Sequence, residues 1–304
     1  MRFRKYSRKH AFNILYQWDI TGEPLERIAE NYWETLERTY GAVAELAAQL
    51  REKLQKGEEV DVEVYAKKFE GFADEEILAD KVRKKLFAVF TLLKAVEEFH
   101  NFALAATEWL SERNKKRLEK ALSILKEVRQ TLERLAQEDP ERADELLQLV
   151  EFLRSLEERP PQDFETVKEA EREFRQKVFS VVVRYLEEIE EFSKKRVSED
   201  MGEIKEYARK LLDAYREHKV EVDSLIEEFL KDWTLDSLGS IERNLLRLGT
   251  AEFLFVGVQD PGRAFNDYID FAKAFVGKKA AKFVNGVLSA IYNKKVENRA
   301  AEGG

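Results

Sequence analysis

The sequence predicts an all-α chain, and three observations carry that reading. Only 13 glycines and 5 prolines interrupt 304 residues. Apolar residues recur at steps of three and four through long stretches, the spacing of one helix face. The breakers that do occur cluster between those stretches.

The first predicted helix covers residues 5–20 and stops at Thr21-Gly22-Glu23-Pro24. A second begins near Leu25. Asp74 is placed to cap a long helix to about residue 112, with Val82, Leu86, Val89, Leu93 and Val96 on one stripe. His100 lies four residues further on, so it reads as a partly buried, satisfied side chain rather than a ligand. Helices over about 115–136 and 141–158 follow, parted by Glu138-Asp139-Pro140, and Pro160-Pro161 ends that section. Phe174, Val178, Val182, Tyr185, Ile189 and Phe192 mark the next helix. Beyond Ser198 the pattern gives helices over 203–218, 222–231, 241–256, 262–275 and 278–295.

Composition limits the function classes. The chain is 44% hydrophobic and 37% charged, enough for a core under an ionised surface. The absence of cysteine excludes disulfides, thiolate zinc sites and cysteine nucleophiles. No apolar run approaches the ~18 residues of a membrane span, and the N-terminus has no signal-peptide h-region. A cytoplasmic chain with no membrane association is expected. The three histidines share no motif, and no His-Glu-x-x-His, P-loop or glycine-rich dinucleotide loop occurs. Neither catalysis, nor a cofactor, nor a metal site is expected.

Charge divides the chain. Residues 34–200 carry a net −9, against +2 for 1–33 and −1 for 201–304. The acidity belongs to the middle, a shift that marks a separate module. The chain nevertheless opens with Arg2, Arg4, Lys5, Arg8 and Lys9. On a helix, Lys5, Lys9, Phe12 and Tyr16 form one stripe bordered by Arg8, while Ala11, Ile14, Leu15 and Trp18 form a neighbouring apolar face. One face can pack while the other shows cations beside two rings. Cations neutralise phosphates, and unstacked bases lie on aromatic rings at about 1–3 kcal/mol per base. Single-stranded RNA suits that pattern, although charge alone does not separate it from a solvated basic run. The cations also oppose the helix dipole, which points to a use outside the helix. A second basic cluster, Gly277-Lys278-Lys279-Ala280-Ala281-Lys282-Phe283, begins the last helix.

The most specific stretches are RKHAFNILYQWD, VDSLIEEFLKDWTLDSLGSIERNLLRLGTAEFLF, RAFNDYIDFAKAF and KFVNGVLSAIY. In this order they resemble the NusB family of transcription antitermination factors, and the likeness is nearest to NusB of the Aquifex lineage. The matching features are a basic first helix with a Leu-Tyr-x-x-(Asp/Glu) end, an Asp-x-(Leu/Ile)-Ile helix and a Trp-x-(Leu/Ile)-(Asp/Glu)-x-Leu connection. A helix ending Leu-Arg-(Leu/Ile), an Asn-(Glu/Asp) helix with Ala-Lys, and a closing Lys-Phe-Val-Asn-Gly-Val-Leu complete the series.

The resemblance implies an all-α domain of two small helix bundles, formed by residues 1–33 and 201–298. Residues 34–200 would be an inserted acidic helical module and 299–304 a flexible tail. It also implies boxA-type RNA, the NusE ribosomal protein and the RNA polymerase antitermination complex as partners, in support of rRNA transcription. By matching motif, RNA contacts are expected from Arg2, Arg4, Lys5, Arg8 and Tyr16, and from Lys282 and Phe283 at the other cluster. Phe12, Lys278 and Lys279 join them by position, and Tyr207 stands where the family has an aromatic near the RNA path. Lys9 occupies a position that is often acidic in relatives, and Lys279 one where many carry Asp; cations there would strengthen phosphate attraction. Asn285-Gly286 reads as structural. Residues 222–233 and 241–255 are candidates for the NusE interface, and the oligomeric state is not readable. NusB-like domains also precede RNA cytosine methyltransferases, but this chain has neither the cofactor signature nor the cysteine.

The insertion should leave and return at neighbouring points, as an antiparallel bundle does. Phe87, Phe90, Phe99, Phe102, Trp109, Phe174 and Phe179 suffice for its core. It reads either as a stabilising spacer or as a protein-docking module, and its acidity argues against RNA there. The competing reading of the whole chain is a helical scaffold that kept the fold and lost RNA binding. Deleting about residues 36–198 separates spacer from docking module in a pull-down: survival of every partner interaction leaves the spacer.

Overall fold

The first helix, α1 (Arg4–Thr21), ends at Gly22, whose left-handed φ of 67° lets its N–H return to the Trp18 carbonyl at 2.9 Å. It belongs to a computed structural model that describes residues 3–230 and 233–302, with side chains to Lys294. Arg2 lies outside the described residues. α2 (Leu25–Lys56) follows, then α3 (Val62–Ala73), with the Asp61 carboxylate accepting from the Val64 N–H at 3.1 Å. Asp74 was expected to start the long helix, and here the structure corrects the sequence. It ends α3, and α4 (Asp80–Glu112) starts after Ala79, whose N–H donates to Tyr40 Oη at 2.9 Å. Burial of Leu78 and Ala79 fixes that start.

Asn114 caps α5 (Lys115–Glu138), α6 is Ala143–Glu158, and Asp163 caps α7 (Phe164–Lys195). A π-helical turn, Arg196–Asp200, leads directly into α8 (Met201–Glu217). Then come α9 (Lys219–Phe229), α10 (Ser240–Ala251), a second π-turn (Glu252–Val256), α11 (Pro261–Phe275) and α12 (Lys278–Glu302). No strand occurs among the described residues, and no helix there is long and apolar enough to cross a membrane. Residues 299–302 continue α12, because Arg-Ala-Ala-Glu favours helix and the glycines come only afterwards.

The chain forms two compact units, Leu36–Val197 and the pair Met1–Thr35 with Ser198–Gly304. The first is a bundle around α4, which packs on α3, α5 and α7, while α6 packs on α5 and α7. The stripe Val82, Leu86, Val89, Leu93 and Val96 is buried. Phe99 stacks on Phe174 at 4.3 Å between centroids, and Phe152 stacks on Phe174 in turn. Phe87 is 48% exposed and Phe90 and Phe179 are half-buried, so those three contribute less core than expected. His100 lies on the exposed side, its Nδ1 2.7 Å from Glu171, because the α4 stripe has turned past it.

In the second unit, α1 packs on α8, α10 and α11, and α10 packs on α8, α9, α11 and α12. Asp19, near the end of α1, gathers three donors there. Arg243 reaches it at 2.6 Å, Arg247 at 2.9 Å and Asn244 at 3.0 Å. Arg247 turns its other edge to Asp223 with two bonds of 3.0 Å. Burial raises the Asp19 pKa, but the bonds from Arg243 and Asn244 and the charges of Arg243 and Arg247 outweigh it and leave it lowered. A carboxyl depressed in the folded state stabilises above its unfolded pKa of about 3.9. That contribution is lost as pH falls through the folded value. Asp19→Ala is therefore expected to cost about 3–5 kcal/mol at neutral pH, because Arg243, Asn244 and Arg247 lose their shared acceptor. Urea titrations should show this gap closing as the pH is taken below about 3.9.

Candidate nucleic-acid interface

Helix α1 meets the C-terminal helices through a second buried ionic cluster. Arg8 Nε and Nη2 hold both oxygens of Glu252 at 2.7–3.1 Å, and Nη1 reaches Asp267 at 2.7 Å. Glu252 also accepts hydrogen bonds from Tyr268 Oη at 2.7 Å and from Tyr207 Oη. Arg8 is 3% exposed and Glu252 fully buried. Burial opposes the Arg8 charge, yet the hydrogen bond and charge of Glu252 prevail and raise its pKa. Burial also pushes the Asp267 carboxyl up, against the pull of Arg8. The Tyr207 hydroxyl is held protonated first by burial and then by the Glu252 charge.

This cluster fixes what lies above it. The Arg4 guanidinium sits 3.5 Å from the centre of the Tyr207 ring, a cation–π contact. Arg8, Glu252 and Tyr207 thus position Arg4. Arg8 and Tyr207 were expected to contact RNA directly; the structure shows both buried, with their polar atoms engaged inside the cluster.

Along α1, Lys5 is exposed and pairs with Asp270 at 2.9 Å, while Lys9 and Tyr16 are half-buried. Phe12 is also corrected. It is 3% exposed, with its ring stacked on Phe275 at 5.4 Å and Tyr16 following at 5.9 Å. Its neighbour explains the second cluster. Phe275 ends α11, and Gly277, at φ 129°, turns the chain into α12 with its N–H on the Ala272 carbonyl. A side chain at Gly277 would be strained in that conformation. The Cα of Lys278 therefore lies within about 11 Å of that of Phe275. Ala280, Ala281 and Val284 face the core, which leaves Lys278, Lys279 and Lys282 exposed and Phe283 half-buried. Lys278 and Lys282, and likewise Lys279 and Phe283, are four residues apart and share a face.

The structure thus joins the start of α12 to α1 through the Phe12–Phe275 stack. Sequence reasoning missed Glu252 and Phe275, which look like ordinary core positions. The arrangement can hold an extended polyanion and stack unsaturated rings. Among the described residues, no group of His, Cys, Asp and Glu could hold a metal ion.

The family model described as NusB family matches residues 196–293. Transcription antitermination protein NusB of Aquifex aeolicus (strain VF5) is 50% identical over 97 residues, 32% of this chain and 66% of that protein. The chain thus spans just under two thirds of that relative's length. The NusB of Shouchella clausii (strain KSM-K16) is 37% identical over 33% of this chain and 75% of that protein. A crystal structure of antitermination factors NusB and NusE in complex with dsRNA shares 43% identity, covering 38% of this chain and 78% of that one, with a TM-score of 0.29.

Replacing Arg8 tests its assignment. Arg8→Ala should lower the urea midpoint by the equivalent of about 3–5 kcal/mol, since Glu252 would lose its counterion. Arg8→Lys should recover only part, because a bidentate fork is lost. An unchanged midpoint with weakened RNA binding would restore Arg8 as a direct contact.

Proposed function

The chain belongs to the NusB family, and from that premise we propose that it is a non-catalytic transcription antitermination factor. Its ligand is boxA-type single-stranded RNA, bound together with the NusE ribosomal protein within the RNA polymerase antitermination complex, in support of rRNA transcription. The observation that carries this reading is the pair of cationic helix starts joined by the Phe12–Phe275 stack. Arg4, Lys5 and Lys9 supply charge on one side, and Lys278, Lys279 and Lys282 supply it on the other. Tyr16 and Phe283, both half-buried, are the rings on which bases stack. Phosphate neutralisation supplies affinity and stacking supplies preference for unpaired bases.

The relatives are named as antitermination proteins, and a family member has been crystallised with NusE and RNA. The net acidity of residues 34–200 argues against RNA binding by that unit, which docks a protein or spaces the assembly. Cytoplasmic action fits a helical chain that binds nascent RNA.

Titration of the full chain with a boxA-type RNA, with and without NusE, tests the proposal. Binding should be tighter with NusE and strongly salt-dependent, and Lys279→Asp should weaken it. A weak salt slope, or no binding in either case, would leave the scaffold reading.

A further inference from the structure

A cleft of about 270 Å3 opens between the start of α1, α8 and the loop that joins the second π-turn to α11. Arg4, Tyr207, Lys210, Gly257, Asp260 and Arg263 line it. Its cations have little competition from carboxylates. Arg4 and Arg263 make no ion pair among the described residues. Lys210 pairs with Glu206 at 2.6 Å, but both are more than half exposed, and such exposed helix pairs are weak. Asp260 is the one carboxylate in the lining, and one of its oxygens is occupied in capping α11 through the Arg263 N–H at 3.0 Å. The buried Arg8 charge is met by Glu252 and Asp267. What remains is a concave site with three converging cations, a shape that concentrates positive potential. Two of them are guanidinium groups, whose planar forks match phosphate oxygens.

The loop holds this shape by backbone geometry. Gly257 has φ 82°, and its N–H closes the π-turn onto the Glu252 carbonyl at 2.9 Å. The same residue that anchors Arg8 therefore sets the wall of the cleft.

We infer that this cleft seats an internal phosphodiester of the RNA strand, and that Lys210 and Arg263 are phosphate contacts. The inference rests on the RNA-binding reading above and extends it. Arg4 and Tyr16 are twelve residues apart on α1, about 18 Å along its axis. At about 3.4 Å per stacked nucleotide, that is about five nucleotides from the cleft to the aromatic end of the track.

The test uses the full chain with NusE and a single-stranded boxA-type RNA of about 12 nucleotides, a length chosen to exceed the ~5-nucleotide track. Affinity is followed between about 50 and 200 mM salt. The variants are Lys210→Gln/Arg263→Gln and, separately, Lys279→Gln/Lys282→Gln, all at exposed positions. With the neutralisation of one single-strand phosphate lost, the Lys210→Gln/Arg263→Gln slope of log K against log salt should become shallower by about 0.7. An unchanged slope for that pair beside a reduced one for Lys279→Gln/Lys282→Gln would overturn the cleft and keep the RNA reading. Absence of salt-dependent binding in the unsubstituted protein would overturn both. An effect confined to RNA carrying a 5′-phosphate would replace the internal phosphodiester with a terminal one.

Discussion

Arg8 and Glu252 stand 244 positions apart and meet in the interior of the second unit, and the remaining arrangement depends on that contact. A buried guanidinium and a buried carboxylate are each costly alone. Together they are supportable because every strong direction is used: Arg8 binds Glu252 through two nitrogens and Asp267 through a third, while Glu252 also takes the hydroxyls of Tyr207 and Tyr268. Helices α1, α8 and α11 are thereby referred to one carboxylate at the end of α10. The surface follows from the interior, since Tyr207 carries Arg4 on its ring face.

A separate unit of more than 160 residues between α1 and its partners is compatible with this, because the entropy of closing a loop grows only logarithmically with its length. What must be conserved against such an insertion is specificity of docking. Ionic clusters of fixed geometry supply it more strictly than apolar surfaces, which tolerate sliding. The Asp19–Arg247–Asp223 chain does the same at the other end of α1.

The helices were legible because their periodicity is local: the stripe from Val82 to Val96 is buried as read. The boundary at Asp74 was not, since aspartate normally favours a helix start, and the partner that sets the real start, Tyr40, is distant in sequence. At the candidate site, residue type and spacing identified where cations gather. They did not tell a cation facing water from one facing a carboxylate, so Arg8 looked like Arg4. The family letters themselves gain meaning here. The Asp ending the first helix, the Asp of the Asp-x-(Leu/Ile)-Ile helix and the Arg of Leu-Arg-(Leu/Ile) are Asp19, Asp223 and Arg247, members of one hydrogen-bonded chain.

The π-turn at Glu252–Val256 has a further meaning as a unit of phase. One residue advances an α-helix by about 100°, and a π-turn holds one residue more per turn. Arg247 and Glu252 lie on one continuous helical segment yet serve the two opposite ends of α1. The added residue then changes the facing of the chain before it leaves at Gly257. In this region length is therefore information. A one-residue deletion that preserved every named side chain would still rotate the cleft loop away from α1.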